Sequence, residues 1–368
     1  MTESPEAVQQ PLDLLYSETE DDLRAAVRAL LADRAGHQAL LGRIETDSPY
    51  LPGLWKSLAA DIGAAGLLVP EKLGGQGASH REAAVVLEEL GRAVTPLPYL
   101  TSAVVATETL LALVAESDAA AALLAESAAG RTVAVLAVPL PTAPGADLPS
   151  GGRVPAVADA AAADVFLVLS ADGLSAVPAG EATVEPQTPL DLTRPLAAVT
   201  APAGAGTLLA GPDAARAAVG RGLLAGAGLL ASEQLGLAEW CLEETVRYTR
   251  ERHQFNRPVG SFQALKHRMA QLWLDLVGAR AAARAAADAL ATSSADAPLL
   301  VAVAQAYCSR VAVRAAEECV QLHGGIGMTW EHPAHLALKR AKADQIALGS
   351  TGRHQDTVAA LADLAPPA

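Results

Sequence analysis

Gln321-Leu322-His323-Gly324-Gly325-Ile326-Gly327 closes a long helical pattern with three glycines in four residues. Gly324 and Gly325 carry no Cβ, so the backbone there can approach a ligand closely and take positive φ; alone, such a run reads equally as a helix-terminating turn. Upstream, helical spacing covers about 298–322, about 262–290 and about 214–250, and Leu265, Met269, Leu272, Trp273 and Leu276 fall on one face of the second of these. Downstream, helix resumes and runs to about 363. Long antiparallel helices with short connections predict a four-helix bundle over 213–368.

Further from the glycines the pattern changes. Between 130 and 212 proline and glycine recur, Thr132 to Val138 is a β-rich apolar run, and Val165-Phe166-Leu167-Val168-Leu169 meets Leu174-Ser175-Ala176-Val177 across Asp172-Gly173, a hairpin signal. Residues 1–129 read as helical again: Thr19 with Asp22 opens a stretch carrying Leu23, Val27, Leu30 and Leu31, and Ser79 with Glu82 forms a capping box that Gly91 and Pro96 bring to an end. Thr101 to about Ala129 is predicted helical, and the Gly74-Gly75-Gln76-Gly77 turn is read as structural because no Lys-Thr pair follows it. The fold class is thus α+β, mostly α: an N-terminal helical domain (1–129), a small middle β domain (130–212) and a C-terminal four-helix bundle (213–368).

Half of the 368 residues are apolar (51%), enough for a large core, and the scarcity of aromatics (3%) beside abundant alanine favours closely packed helices. A net charge of -14 without any Lys/Arg-rich run argues against nucleic acid. Cys241, Cys308 and Cys319 are too widely spaced for a Cys-x-x-Cys motif, and Met1 to Glu6 is acidic and lacks a signal pattern; with no strong membrane span, a soluble cytoplasmic protein is expected. Glu331-His332-Pro333-Ala334-His335 places two histidines three apart, but Pro333 and the missing helical His-Glu pair argue against a zincin, and no metal is expected.

Two segments at their relative spacing resemble the acyl-CoA dehydrogenase family of flavoproteins. Arg252-His253-Gln254-Phe255-Asn256-Arg257-Pro258-Val259-Gly260-Ser261-Phe262-Gln263 is similar to one family signature, and the stretch from Gln321 to Thr329 to the second. A guanidinium at Arg252 can make paired charge-assisted hydrogen bonds to a pyrophosphate; by itself it would read as a solvated helix charge, with Phe255 and Phe262 as core. The resemblance implies that FAD is the cofactor and Arg252 holds its pyrophosphate. Gly324 and Gly325 then meet the adenosine of FAD bound to a neighbouring subunit, and Gln263, Gln321, Leu322, His323, Ser350 and Thr351 face the cofactor. It further implies an acyl-CoA substrate, a homo- or hetero-oligomer and an electron-transfer acceptor.

The family's chemistry needs a carboxylate to take the α-proton while the β-hydrogen leaves as hydride to the flavin. Both family positions for that base lack one: Leu348 stands at the commoner position, and Gly226, followed by Ala227, at the alternative. Glu233, two turns beyond Gly226, is the remaining candidate, or else a solvated or capping carboxylate, while Glu239, Glu243 and Glu244 read as an exposed face with Arg247 and Arg250. The family segments that wall the flavin are not legible in the β region, where Pro155-Ala156-Val157-Ala158-Asp159 occupies the second of those places. Three functions are compatible with these losses: a subunit of an α2β2 acyl-CoA dehydrogenase whose related partner supplies the base, a homo-oligomeric flavoenzyme with an unconventional base, and a non-catalytic structural or binding subunit.

Overall fold

The first helix starts on Ser17, not at the Thr19–Asp22 signal. In the computed structural model, which describes residues 14–46, 48–148 and 150–364, Ser17 caps α1 (Glu18–Arg34): its hydroxyl accepts from the Glu20 amide, and the Glu20 carboxylate accepts from the Ser17 amide at 2.6 Å. Ser17 and Glu20 are the pair with capping-box spacing, so they set the boundary. The acidic stretch Met1 to Glu6 lies outside the described residues. Short α2 (His37–Leu41) and α3 (Leu54–Lys56) follow, and Ser79 with Glu82 caps α4 (His80–Ala93) as the spacing predicts. Helix α4 ends at Val94, in the left-handed region at φ 49°, beyond Gly91. The stretch 101–129 is broken: a π-helical segment, Tyr99–Ala106, runs into α5 (Thr107–Leu111), and α6 (Asp118–Ala128) begins afresh on a Ser117 cap.

Seven strands lie between α6 and the bundle: β1 (Ala134–Leu136), β2 (Arg153–Ala158), β3 (Val165–Ser170), β4 (Gly173–Pro178), β5 (Thr183–Gln187), β6 (Leu196–Thr200) and β7 (Thr207–Ala210). They form two sheets, β1-β3-β4-β7 and β2-β6-β5. The expected β3–β4 hairpin is present, but its two-residue loop is Ala171-Asp172, since Ser170 pairs with Gly173. Period-two alternation places the first sheet as a middle layer. Val135, Phe166 and Val168 face Val154, Val157 and Val199 of the second sheet, while Leu136, Leu167 and Leu169 face the helical body.

The bundle is built from α7 (Pro212–Glu251), α8 (Gln263–Ala291), α9 (Ala297–His323) and a fourth position split into α10 (Ala334–Asp344) and α11 (Thr351–Leu361). Gly91 and Gly236 allow α4 to lie backbone against backbone on α7: a Cβ on Gly91 would stand 2.0 Å from the Glu233 carbonyl oxygen, and one on Gly236 1.8 Å from that of Glu88. By length and composition α9 could cross a membrane, but here it packs against α7, α8, α10 and α11. On α8 the buried stripe is Leu272, Leu276, Ala279 and Ala283; Trp273 is 61% exposed and, with Leu274 and Val277, faces outward. One residue is a rotation of about 100° on a helix, enough to carry Trp273 off the buried stripe.

Helices and sheets are joined by a buried ion cluster. Arg340 of α10 binds Asp191, Thr193 and Glu233 (2.5 Å from the Glu233 carboxylate), and Arg194 binds both oxygens of Glu233 at 2.7 Å and Asp344 at 2.6 Å. Two guanidiniums are balanced by Glu233 and Asp191, leaving Asp344 as a surplus acid. Burial and the nearby Glu233 push its pKa up to about 8. Between the ordinary aspartate value, about 3.9, and about 8, the folded chain keeps a proton that the unfolded chain has released. Stability therefore falls as pH rises through that window, by at most about 1.4 kcal/mol per pH unit for one proton. Asp344→Asn keeps an acceptor for Arg194 and cannot ionise. Thermal melts between about pH 5 and 8 should show a falling midpoint for the native chain and a flatter one for the variant; equal slopes would place the titrating proton elsewhere.

Candidate functional site

The two signature segments meet at one end of the bundle. Helix α7 stops at Arg252, whose backbone turns extended (φ -74°, ψ 123°) and whose carbonyl accepts from the Val259 amide at 2.8 Å. The hairpin β8 (His253–Gln254) and β9 (Arg257–Pro258) closes over Phe255 and Asn256, both at positive φ. Phe255 is 86% exposed and meets Phe262 edge-on, so it is not core. Arg252 and Gln263 are exposed. At the end of α9, Gln321, Gly324 and Gly325 are exposed too, Gly324 takes φ 61°, and a Cβ on either glycine would meet nothing within 4 Å. The His323 ring, by contrast, turns inward and stacks on Tyr248 of α7 at 4.4 Å, one turn before Arg252. That stack brings the glycine turn and the Arg252 corner together, forming an open edge with cationic and backbone donors.

Ser350 and Thr351 belong elsewhere. Ser350 caps α11, and the Thr351 hydroxyl bonds that of Ser309 at 2.9 Å. Ser309 lies fourteen residues before His323 on α9, about 21 Å along the axis. These two residues instead adjoin the centre, where Gly226 and Leu348 face each other. A Cβ on Gly226 would stand 2.5 Å from Val105 Cγ2 and 3.1 Å from Leu348 Cδ1. Leu348, at φ 52°, donates its amide to the Leu140 carbonyl at 2.7 Å and accepts from His354 at 3.0 Å, so the loop after β1 sits directly on it. The space left among Leu100, Val105, Leu140, Leu223 and Leu348 is about 30 Å³, room for about a water or two.

Among the described residues, the two carboxylates nearest this centre, Glu233 and Asp159, are both held by partners. Glu233 is buried and bonded by two arginines; burial favours its neutral form, but Arg194 and Arg340 hold its pKa below the ordinary value. It is neither solvated nor a cap. Asp159, which sequence reasoning passed over, lies on the Thr101 side of the centre. Burial raises its pKa, yet its two oxygens are occupied by Tyr50 (2.9 Å) and Thr101 (2.8 Å). Only its position after a strand hinted at it, in a left-handed turn at φ 56°. The acidic face expected on α7 is present in part: Glu243 is exposed and Glu244 pairs with Arg247 three residues on, but Glu239 and Glu244 are half-buried, Glu239 pairs across to Arg280 and Glu243 to Arg92, and Glu244 also faces His323 and His332. The His332–His335 pair does not converge, because His335 turns to the Trp330 carbonyl at 3.2 Å.

Comparison with known proteins agrees with this geometry at both ends of the chain. The acyl-CoA dehydrogenase N-terminal domain profile matches residues 17–131 and the C-terminal domain profile residues 216–362. Acyl-CoA dehydrogenase IpdE2 of Mycolicibacterium smegmatis is 37% identical over 341 residues, covering 90% of this chain and 95% of that one. The chain belongs to the acyl-CoA dehydrogenase family. It is accordingly of the FAD-dependent oxidoreductase type that desaturates acyl-CoA thioesters. IpdE2 of Mycobacterium tuberculosis is 37% identical, covering 87% of this chain and 89% of its own. Among solved structures, the ChsE4-ChsE5 complex of Mycobacterium tuberculosis superposes with a TM-score of 0.82 at 25% identity, covering 97% of this chain and 100% of that one.

Tested against FAD, the two regions of this acyl-CoA dehydrogenase differ. The edge offers an exposed guanidinium and glycine backbone open to close approach, which suits a pyrophosphate and adenosine. The centre has no room for a tricyclic ring. Glu233 is a structural acid, and removing it takes from two buried guanidiniums the carboxylate they share, leaving Arg340 with Asp191 and Arg194 with Asp344. Glu233→Ala is expected to lower unfolding stability by about 3–5 kcal/mol, measured by urea denaturation; a loss within about 0.5 kcal/mol, as for a surface change, would contradict this role.

Proposed function

We propose that this chain is the half of a heteromeric acyl-CoA dehydrogenase that carries no base of its own. A related partner chain holds the flavin ring and the catalytic carboxylate, and this chain lends that site Arg252, Gln263, Gln321, Leu322 and the Gly324–Gly325 backbone. The observation that carries the reading is the contrast between an open cofactor edge and a centre closed to about 30 Å³. The ChsE4-ChsE5 neighbour is itself a complex of two chains. A second neighbour, 26% identical with a TM-score of 0.81 over 94% of this chain and 98% of that one, is described as the Tcur3481-Tcur3483 steroid acyl-CoA dehydrogenase. Apolar side chains exposed on α8 and α9, Trp273, Leu274, Val277 and Tyr307, supply a surface for a partner to cover.

An α2β2 assembly passing electrons to an electron-transfer flavoprotein is consistent with this division, as is a cytoplasmic setting for three free, buried cysteines. Bound FAD supplies the hydride acceptor. The part of this chain is to pair the Arg252 guanidinium with the pyrophosphate and to present the glycine amides to the adenosine.

The chain purified alone is expected to be colourless and inactive, and co-expression with its partner to give a complex absorbing near ~450 nm, where oxidised flavin absorbs. Arg252→Ala should strip FAD from that complex, and full turnover by a homo-oligomer of this chain would overturn the proposal. Replacing the leucine at the base position is a separate check. Leu348→Glu should restore no activity to the chain alone and should lower its melting midpoint, because it buries a carboxylate where no ring fits; turnover by that variant would show that the centre opens.

A further inference from the structure

We propose that Glu244, His323 and His332 form a binding site for a divalent transition-metal ion, preferentially zinc, which clasps both ends of the glycine turn to α7. Glu244 comes from α7, His323 is the last residue of α9, and His332 lies in the loop after Gly327. Their ligating atoms all lie within 4.8 Å of one another. Glu244 Oε1 stands 3.9 Å from His323 Nε2 and 3.8 Å from His332 Nε2. Those separations are too long for hydrogen bonds. These two edges exceed by a few tenths of an ångström the ligand–ligand edges of about 3.3–3.5 Å in a tetrahedral zinc site with bonds of about 2.0–2.1 Å; the His323–His332 edge, within 4.8 Å, closes by rotation of the His332 ring, and water fills the fourth position.

His323 is already arranged as a ligand. Its Nδ1 donates to the Cys319 carbonyl at 2.6 Å, which puts the ring proton there and leaves the Nε2 lone pair aimed at Glu244. The side chain is 0% exposed, and Nε2 is buried without a hydrogen-bond partner. Tyr248 and His332 pack on its ring at 4.4 and 4.3 Å and fix its direction. Arg247 donates to both oxygens of Glu244, which keeps that carboxylate ionised as a ligand must be, and the ion would share Oε1 with this guanidinium. On His332, coordination through Nε2 moves the ring proton to Nδ1 and gives up the 3.2 Å bond from the Ala334 amide. Its side chain is 11% exposed and that of Glu244 16%, which gives an ion access and leaves a position for water. Two imidazoles and a carboxylate suit zinc better than calcium or magnesium.

The test uses the full chain freed of metal by a chelator and titrated with Zn²⁺ in a calorimeter. One ion per chain with a Kd of about 1 µM or tighter is expected, with a higher melting midpoint. His332→Ala and Glu244→Gln should each weaken binding at least tenfold, whereas His335→Ala, whose ring turns away to Trp330, should not. Co²⁺ bound to the unaltered chain should show the strong visible bands of a four-coordinate site, a readout independent of how the variants fold. Absence of binding, a six-coordinate Co²⁺ spectrum, or binding unchanged in both His332→Ala and Glu244→Gln would overturn the assignment.

Discussion

Arg340 is the point on which the arrangement of layers depends. Its guanidinium reaches α7 through Glu233 and the segment before β6 through Asp191 and Thr193, while Arg194 ties that segment back to Glu233 and Asp344. Buried ion pairs add little net stability because desolvation offsets their attraction, but breaking one is expensive. Their effect is therefore on geometry: the sheets can sit on the bundle in only one register without stranding a charge. The same register brings the loop after β1 down beside Leu223 of α7 and onto the turn between α10 and α11, where the Leu140 carbonyl accepts from the Leu348 amide.

The local chemistry of the fold was legible in the sequence, and the long-range chemistry was not. Ser79–Glu82, the 165–177 hairpin and the three long helices announce themselves because caps, turns and periodicity are written within a few residues of one another. Even there, boundaries slipped where two signals competed, as with Ser17 beside Thr19, or where a glycine served packing and not termination, as at Gly91. Glu233 could not be placed at all. Its neutralising partners lie 39 and 107 residues away in sequence, and nothing local separates an acid on a solvated helix face from one buried between two arginines.

At the Arg252–Gly324 edge the sequence carried more, because an arginine at a helix end and glycines in a turn take their exposure from local backbone and need little help from distant packing. Arg252, Gln263, Gly324 and Gly325 are where a signature would put them, exposed at a helix end or a left-handed turn. His323 is the exception. It sits inside the motif but its ring belongs to the interior, against Tyr248 and His332, so a motif position gave the backbone's destination without the side chain's.

At Leu348 and Gly226 the absence of a carboxylate and the closing of the centre are one packing event. A glutamate at 348 would need space and polar contacts for its charge; a leucine needs the opposite, and burying one contributes about 1.5–3 kcal/mol. Val105 and Leu223 meet that need, and Gly226 contributes no side chain that would hold them apart. With apolar contact on every side of Leu348, the β layer can settle until Leu140 bonds its backbone, leaving no gap for a ring. The edge at Arg252 and Gly324 lies at the other end of α9 and shares none of these contacts, so it stays open while the centre closes. Packing at the centre and exposure at the edge are therefore independent of each other.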